Sequence, residues 1–284
     1  MGLKKKLSFR RSLIFSLLSI LSIMSFLGFN FRPNEVQANV AEETQIAPSA
    51  KIVEGQEWKR VDTKYCRFYY HQENEYIKAK IAAINTIYED ICNKFKHYAK
   101  GRPEEDGLVT LFLLDDSAYK STTGDLVAGA GCDKGSIFIN IGRNNTNLAG
   151  TCRHELIHAV TVFSPDSKLV NYPHWFAEGI AQYYQPNLEK GGYNVALLKN
   201  ALETNQLFPW SVLGKSGWGN ENRPLKYTQA ACMFEYLIQK YGEEKIIEIF
   251  YTEGDFLEII KRITGKSIKE IEKDWQKDIK LKLR

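Results

Sequence analysis

Hydrophobic positions recur at strand period in the first half of the chain and at helix period afterwards. Tyr65 to Tyr70 (YCRFYY) and Val109 to Leu114 (VTLFLL) are short apolar runs that predict strands, and Gly135 to Ile141 (GSIFINI) alternates in the same sense. Between the first two runs, Ile77, Ile81, Ile84, Ile87, Ile91 and Phe95 follow helical spacing. They predict a helix from Glu75 to about Ala99, broken by Gly101, Arg102 and Pro103. Beyond Gly142 every apolar pattern is helical. One helix is expected up to about Phe163, with Asn147 or a neighbour as its cap and Ser164-Pro165 at its end. A second is expected to start at Pro173, run through Tyr184 and stop before Pro186. Further helices are expected over Val195 to Asn205, Lys226 to Tyr241, Glu243 to Tyr251, and Ser267 to the C-terminus. Strands with one helix, then helices alone, predict an α+β fold. The expected catalytic body, 58–284, has a mixed strand and helix lobe over about 58–164 and a helical lobe over about 165–284. No internal repeat is visible.

Composition narrows the class without naming a function. The 284 residues are 44% apolar and 25% charged, an ordinary balance for a folded body of this length. The formal net charge of +4 is concentrated at the start. Residues 1–38 carry six basic residues against Glu35 alone, which leaves about −1 for the remaining 246. Nothing in that body suggests a nucleic-acid partner.

The basic stretch Lys4 to Arg11 precedes an apolar run from Leu13 to Phe29, and Val36-Gln37-Ala38 ends the polar segment after it. That is the pattern of a cleaved export signal over residues 1–38, followed by a flexible linker over 39–57. The run of 17 residues is interrupted by four serines and stands at the short limit for a membrane span. Membrane association is therefore expected only if this segment is kept as an anchor. Either way the body is expected outside the cytoplasm, secreted or extracytoplasmic. Five cysteines cannot all pair, and none has metal-type spacing, so small buried apolar residues are the simpler expectation.

The chemistry is concentrated in His154-Glu155-Leu156-Ile157-His158. On a helix, residues four apart lie one above the other, so both imidazoles can face a single ion. Glu155 is about 100° round the helix, near enough to reach an activated water without being a ligand. Cys152, Leu156, Val160 and Phe163 have the spacing of a buried back face. A catalytic zinc takes three protein ligands and keeps one open position. Glu178, in Trp175-Phe176-Ala177-Glu178-Gly179 on the next expected helix, can supply the third. Trp175 and Phe176 would pack that helix down, and Gly179 would allow a close approach.

The pair HELIH and WFAEG resembles the gluzincin zinc metallopeptidases, more narrowly small bacterial peptidases with an HExxH helix and a W-x-x-E-G helix. Tyr227-Thr228-Gln229-Ala230-Ala231 and Tyr241-Gly242-Glu243 resemble the helix that follows in that family. The resemblance covers about Trp58 to Lys282 and implies a zincin-like fold. It implies Zn²⁺ on His154, His158 and Glu178, with Glu155 as general base and a peptide or protein as substrate. It also makes Tyr227 the first candidate to stabilise the oxyanion; His174, four residues before Glu178 on the same helix face, is the second. One departure is Gln182, which stands where thermolysin-like members carry a carboxylate that supports a ligand histidine. His71 and His97 are expected to be surface or packing residues. The run 135–141 is a candidate sheet edge to which an extended peptide could add. Two other functions compete: a zinc amidase acting on cell-wall material, and an exported binding protein on a retired zincin scaffold. The intact Glu155 argues against the second.

Overall fold

A computed structural model describes residues 57–96, 108–123, 130–133, 136–142, 147–164, 166–188, 191–219 and 221–283. In chain order these form β1 (Lys59–Asp62), β2 (Cys66–Tyr70), α1 (Glu75–Phe95), β3 (Val109–Leu114), α2 (Asp116–Thr123), β4 (Ala130–Asp133), β5 (Ser136–Asn140) and α3 (Leu148–Val160). Then come β6 (Leu169–Val170), α4 (His174–Tyr184), α5 (Val195–Glu203), α6 (Trp210–Leu213), α7 (Arg223–Tyr241), α8 (Glu243–Glu248) and a 3₁₀ turn at Ile249–Tyr251. β7 (Gly254–Asp255), α9 (Phe256–Thr264) and α10 (Ile268–Lys282) complete the order. The expected signal segment, the linker up to Gln56, the 101–103 break, His97, Gly135 and Pro165 lie outside the described residues.

The fold is α+β. Five strands form one sheet in the order β1-β2-β3-β5-β4, and the rest is mostly helical. β2, β3 and β5 run parallel, while β1 and β4 are antiparallel to their neighbours. β3 is central and buried on both faces, which is why VTLFLL is a continuous apolar run and not an alternating one. On one face, Leu111, Leu113, Ile137 and Ile139 join the main core with the buried stripe of α1 and the back of α3. On the other, Phe112 stacks between Tyr69 and Phe138 at 5.0 and 5.2 Å, and α2 covers that layer with Ala118 and Tyr119.

Local signals account for several boundaries. The Asn74 side chain accepts from the Ile77 N–H at 3.0 Å to start α1, and Lys96 in the left-handed region ends it. Ser267 and Glu270 form a reciprocal capping box on α10. α7 starts at Arg223, earlier than the expected Lys226, with a proline in its first turn.

The structure corrects three expectations. The run 135–141 is not a sheet edge: β5 is paired on both sides, and the edge strand on its side of the sheet is β4. Phe163 does not belong to the buried back face of α3. The helix ends at Val160, so helical spacing no longer applies, and Phe163 is 44% exposed. Asn147 occupies the cap position of α3 without a side-chain capping bond. Cys66, Cys92, Cys152 and Cys232 are buried, and none of them is in a disulfide.

Candidate metal centre and cleft

The site is built on the cleft-facing side of α3. Cys152, Leu156 and Val160 are fully buried on the other side, so the helix cannot roll without exposing them. The Tyr251 hydroxyl donates to the Val160 carbonyl and satisfies a C-terminal orphan acceptor of the helix. With α3 held, His154 and His158 project together, their Nε2 atoms 3.2 Å apart.

Glu178 arrives from α4. Trp175 and Phe176, 1% and 0% exposed, anchor the first turn of α4 among Trp210, Phe250 and Phe256. Gly179 faces α7 so closely that a Cβ there would lie 2.8 Å from the Ala230 carbonyl oxygen. Arg153 of α3 donates to the carbonyls of Gln185 and Pro186 just past α4, tying the two helices together. Glu178 Oε2 consequently lies 3.2 Å from His154 Nε2 and 3.6 Å from His158 Nε2.

These three donors fit a metal ion. One ligand atom from each of His154, His158 and Glu178 lies within 4.8 Å of the others, at buried positions. Glu178 Oε2 is buried and meets no aligned hydrogen-bond donor, an arrangement a cation would satisfy. Burial pushes the Glu178 acid up, but the adjacent His158 and His154 imidazoles, His158 foremost, outweigh it and hold it well below its ordinary value. Burial likewise disfavours the His158 cation, yet the Glu178 carboxylate overcomes this and raises its pKa. Two imidazoles and a carboxylate are a donor set for a divalent transition metal, zinc and iron among them. The supporting layer is thin. Nδ1 of both histidines is buried without a protein partner, so Gln182 does not support either ring.

A cleft of about 370 Å³ opens over this group, within the usual range of ligand sites. Glu155 lines it beside the three donors, as do His174, Tyr227 and Arg223. Ala130 and Gly131 of the β4 edge form another wall, with Tyr119 and Thr123 of α2. Val162, Phe163 and Tyr172 provide an apolar flank. The Tyr227 ring is 6.0 Å from that of His154, and burial, with Glu178 nearby, raises the phenol pKa. His174 Nε2 is 3.8 Å from Glu178 Oε1, and burial lowers the pKa of this imidazole despite that carboxylate. His71 does not line this cleft and packs on Trp58, ring centroids 3.8 Å apart.

Residues 119–281, more than half of the chain, match the sequence profile of the peptidase MA superfamily. The chain belongs to that superfamily. Membership supports a peptidase-like hydrolase with metal-dependent chemistry, in keeping with the buried His154, His158 and Glu178 group. No curated protein matches the chain.

Sequence reasoning missed β4 as a wall of this superfamily member's cleft and Trp218 as the neighbour of two cleft residues. β4 has the sequence AGCD, without the branched or aromatic residues that mark a strand. Trp218 lies in an irregular segment, yet its ring sits 4.7 Å from His174 and 5.3 Å from Tyr227. Arg223 did leave a signal, since it precedes Tyr227 by one helical turn.

Proposed function

We propose that this protein is a zinc-dependent peptidase of the gluzincin type, exported from the cytoplasm and acting on extracytoplasmic proteins or peptides. The observation that carries this reading is the convergence of His154, His158 and Glu178 in a cleft that Glu155 also lines. When bound, the zinc supplies Lewis acidity that polarises the scissile carbonyl and acidifies a water molecule. Glu155 takes the proton from that water and passes it to the departing amine, as a base that is not itself a ligand. Tyr227 donates a hydrogen bond to the oxygen that gains negative charge. His174, turned toward Glu178, is the second candidate for that task.

The β4 edge borders the cleft, and an extended substrate adding to it would pass over the donors. The N-terminal pattern supports removal of residues 1–38, so the mature chain would begin at Asn39.

Elemental analysis tests the metal, and hydrolysis of casein by wild type and Glu155→Gln tests the chemistry. We expect one zinc per chain and activity in the wild type only. Absence of any transition metal after reconstitution, or equal hydrolysis by the two proteins, would overturn the reading. N-terminal sequencing of protein from the native cell tests export, and an intact Met1 or Gly2 in the membrane fraction would favour an anchor over a cleaved signal.

A further inference from the structure

Arg223 opens α7 and lines the cleft, and Tyr227 follows one helical turn later. Among the described residues that line the cleft, Arg223 is the one lysine or arginine. Its guanidinium carbon lies over the Tyr227 ring, 5.5 Å from the centroid. A cation on a ring face is held through its charge and not through its N–H groups. A guanidinium carries five such donors, enough for a paired carboxylate together with a bond inside the protein.

The ring beneath it is confined. Trp218 meets that ring edge to face at 5.3 Å, and the His154 ring lies 6.0 Å away. Trp218 is itself fixed, its Nε1–H donating to the Leu213 carbonyl at 3.1 Å while its own carbonyl accepts from Lys226 Nζ. Arg223 therefore rests on a rigid platform, which reduces the entropy lost when its long side chain grips a ligand.

Charge and distance define that ligand. The carboxylates in the cleft lining are Glu155 and Glu178, both beside the metal donors, and they repel an acidic group placed there. Arg223, on the far side of Tyr227, attracts one. Its planar fork matches a carboxylate through two parallel bonds, a fit that a neutral peptide group does not offer. The guanidinium can be no farther from the His154 ring than the two ring distances laid end to end. At a rise of about 3.3 Å per residue, an extended substrate covers that separation in about four residues or fewer.

We propose that Arg223 is a specificity-determining residue that binds a carboxylate of the peptide substrate within about four residues of the cleaved bond. The inference rests on the peptidase reading above. The carboxylate can belong to an aspartate or glutamate side chain or to the C-terminus of the substrate. In the second case the enzyme trims chain ends.

The test compares wild type, Arg223→Gln and Arg223→Lys on variants of one neutral peptide. One arm keeps both ends capped and places Glu or Gln in turn at the four positions on either side of the cut. The other compares a free C-terminal acid with its amide. Wild type should prefer the charged member about 10- to 100-fold in kcat/KM, mainly through KM, in one of the two arms. Arg223→Gln should abolish that ratio, and Arg223→Lys should keep part of it. Each ratio is internal to one protein, so a partly unfolded variant does not alter it. No preference in wild type in either arm, or a ratio that survives in Arg223→Gln, would overturn the inference.

Calorimetric binding of the same peptides to Glu155→Gln, with and without Arg223→Gln, requires no hydrolysis. The charged member should bind about 10- to 100-fold tighter only where Arg223 is present. Absence of hydrolysis in wild type would overturn the peptidase reading, and these binding ratios would still sustain or overturn the role of Arg223.

Discussion

The two helices that carry the candidate ligands are held by different means. α3 presents His154, Glu155 and His158 from consecutive turns, and the helix itself sets the spacing of the histidines. Its buried face is a plain stripe that fixes only how the helix rolls. α4 contributes a single ligand, and nothing local relates Glu178 to the histidines. Its position depends on Trp175 and Phe176, on the Gly179 approach to Ala230, and on Arg153 reaching from α3. Damage to the packing of α3 should therefore cost stability while sparing the histidine pair. Damage to the seat of α4 should detach the third ligand even where the fold survives.

The sharpest separation is within α3 itself. His158→Ala removes a donor, so zinc and hydrolysis should both disappear, as elemental analysis and a peptide assay would show. Glu155→Gln, on the same helix, should keep the zinc and lose about 10²- to 10⁴-fold in turnover, the usual contribution of a general base. If Glu155→Gln also loses its metal, the division of roles along α3 is wrong.

Next in size is Tyr227→Phe, which lies outside both ligand helices and keeps the ring and its packing. Turnover should fall about 100- to 1000-fold with zinc content unchanged. A wild-type rate would transfer the donor role to His174.

Two packing changes set α3 and α4 directly against each other. Leu156→Ala empties a fully buried site on α3 and should cost about 2–5 kcal/mol, measured by denaturant unfolding. Gly179→Ala forces a methyl toward the Ala230 carbonyl and should cost about 1–3 kcal/mol. Although the smaller destabilisation, Gly179→Ala should weaken zinc affinity more, because it shifts Glu178 relative to the histidines. Equal loss of affinity per unit of lost stability would remove the distinction.

The smallest effect concerns pH in chelator-treated protein. His158 is raised above 6.5, so its share of stability is complete below that value and lost as pH rises through the raised pKa. Glu178 is held below 4.5, so its share is present above that value and lost as pH falls through the lowered pKa. The thermal midpoint of wild type should exceed that of Glu178→Gln most between about pH 4.5 and 6.5. A difference that does not vary with pH would show that the two groups are not coupled.

What could be read in advance follows the same division. The α1 stripe, β2, β3, β5 and the helices α3, α4, α5, α7, α8 and α10 have apolar periods that local geometry interprets directly. The amphipathic run of α9, with Asp255 capping the Leu257 N–H at 2.8 Å, carried a readable signal that was not used. α6 has four residues, too few to show a period. β4 is a strand because β5 offers it a partner, a relation that leaves no mark in Ala130–Asp133.

By itself the sequence determined that two histidines share one helix at ligand spacing with a carboxylate between them, and that a second carboxylate lies on a helix soon after. Helical geometry imposes the first relation on any chain that carries those residues. Only the tertiary structure decided that Glu178 Oε2 comes within 3.2 Å of His154 Nε2, that β4 and not β5 is the edge beside the cleft, and that Trp218 and Arg223 enclose Tyr227. Those relations join residues distant in the chain or in irregular segments. They are set by close packing, by the room left at Gly179, and by which strand edges remain unpaired, none of which has a period that a sequence can display.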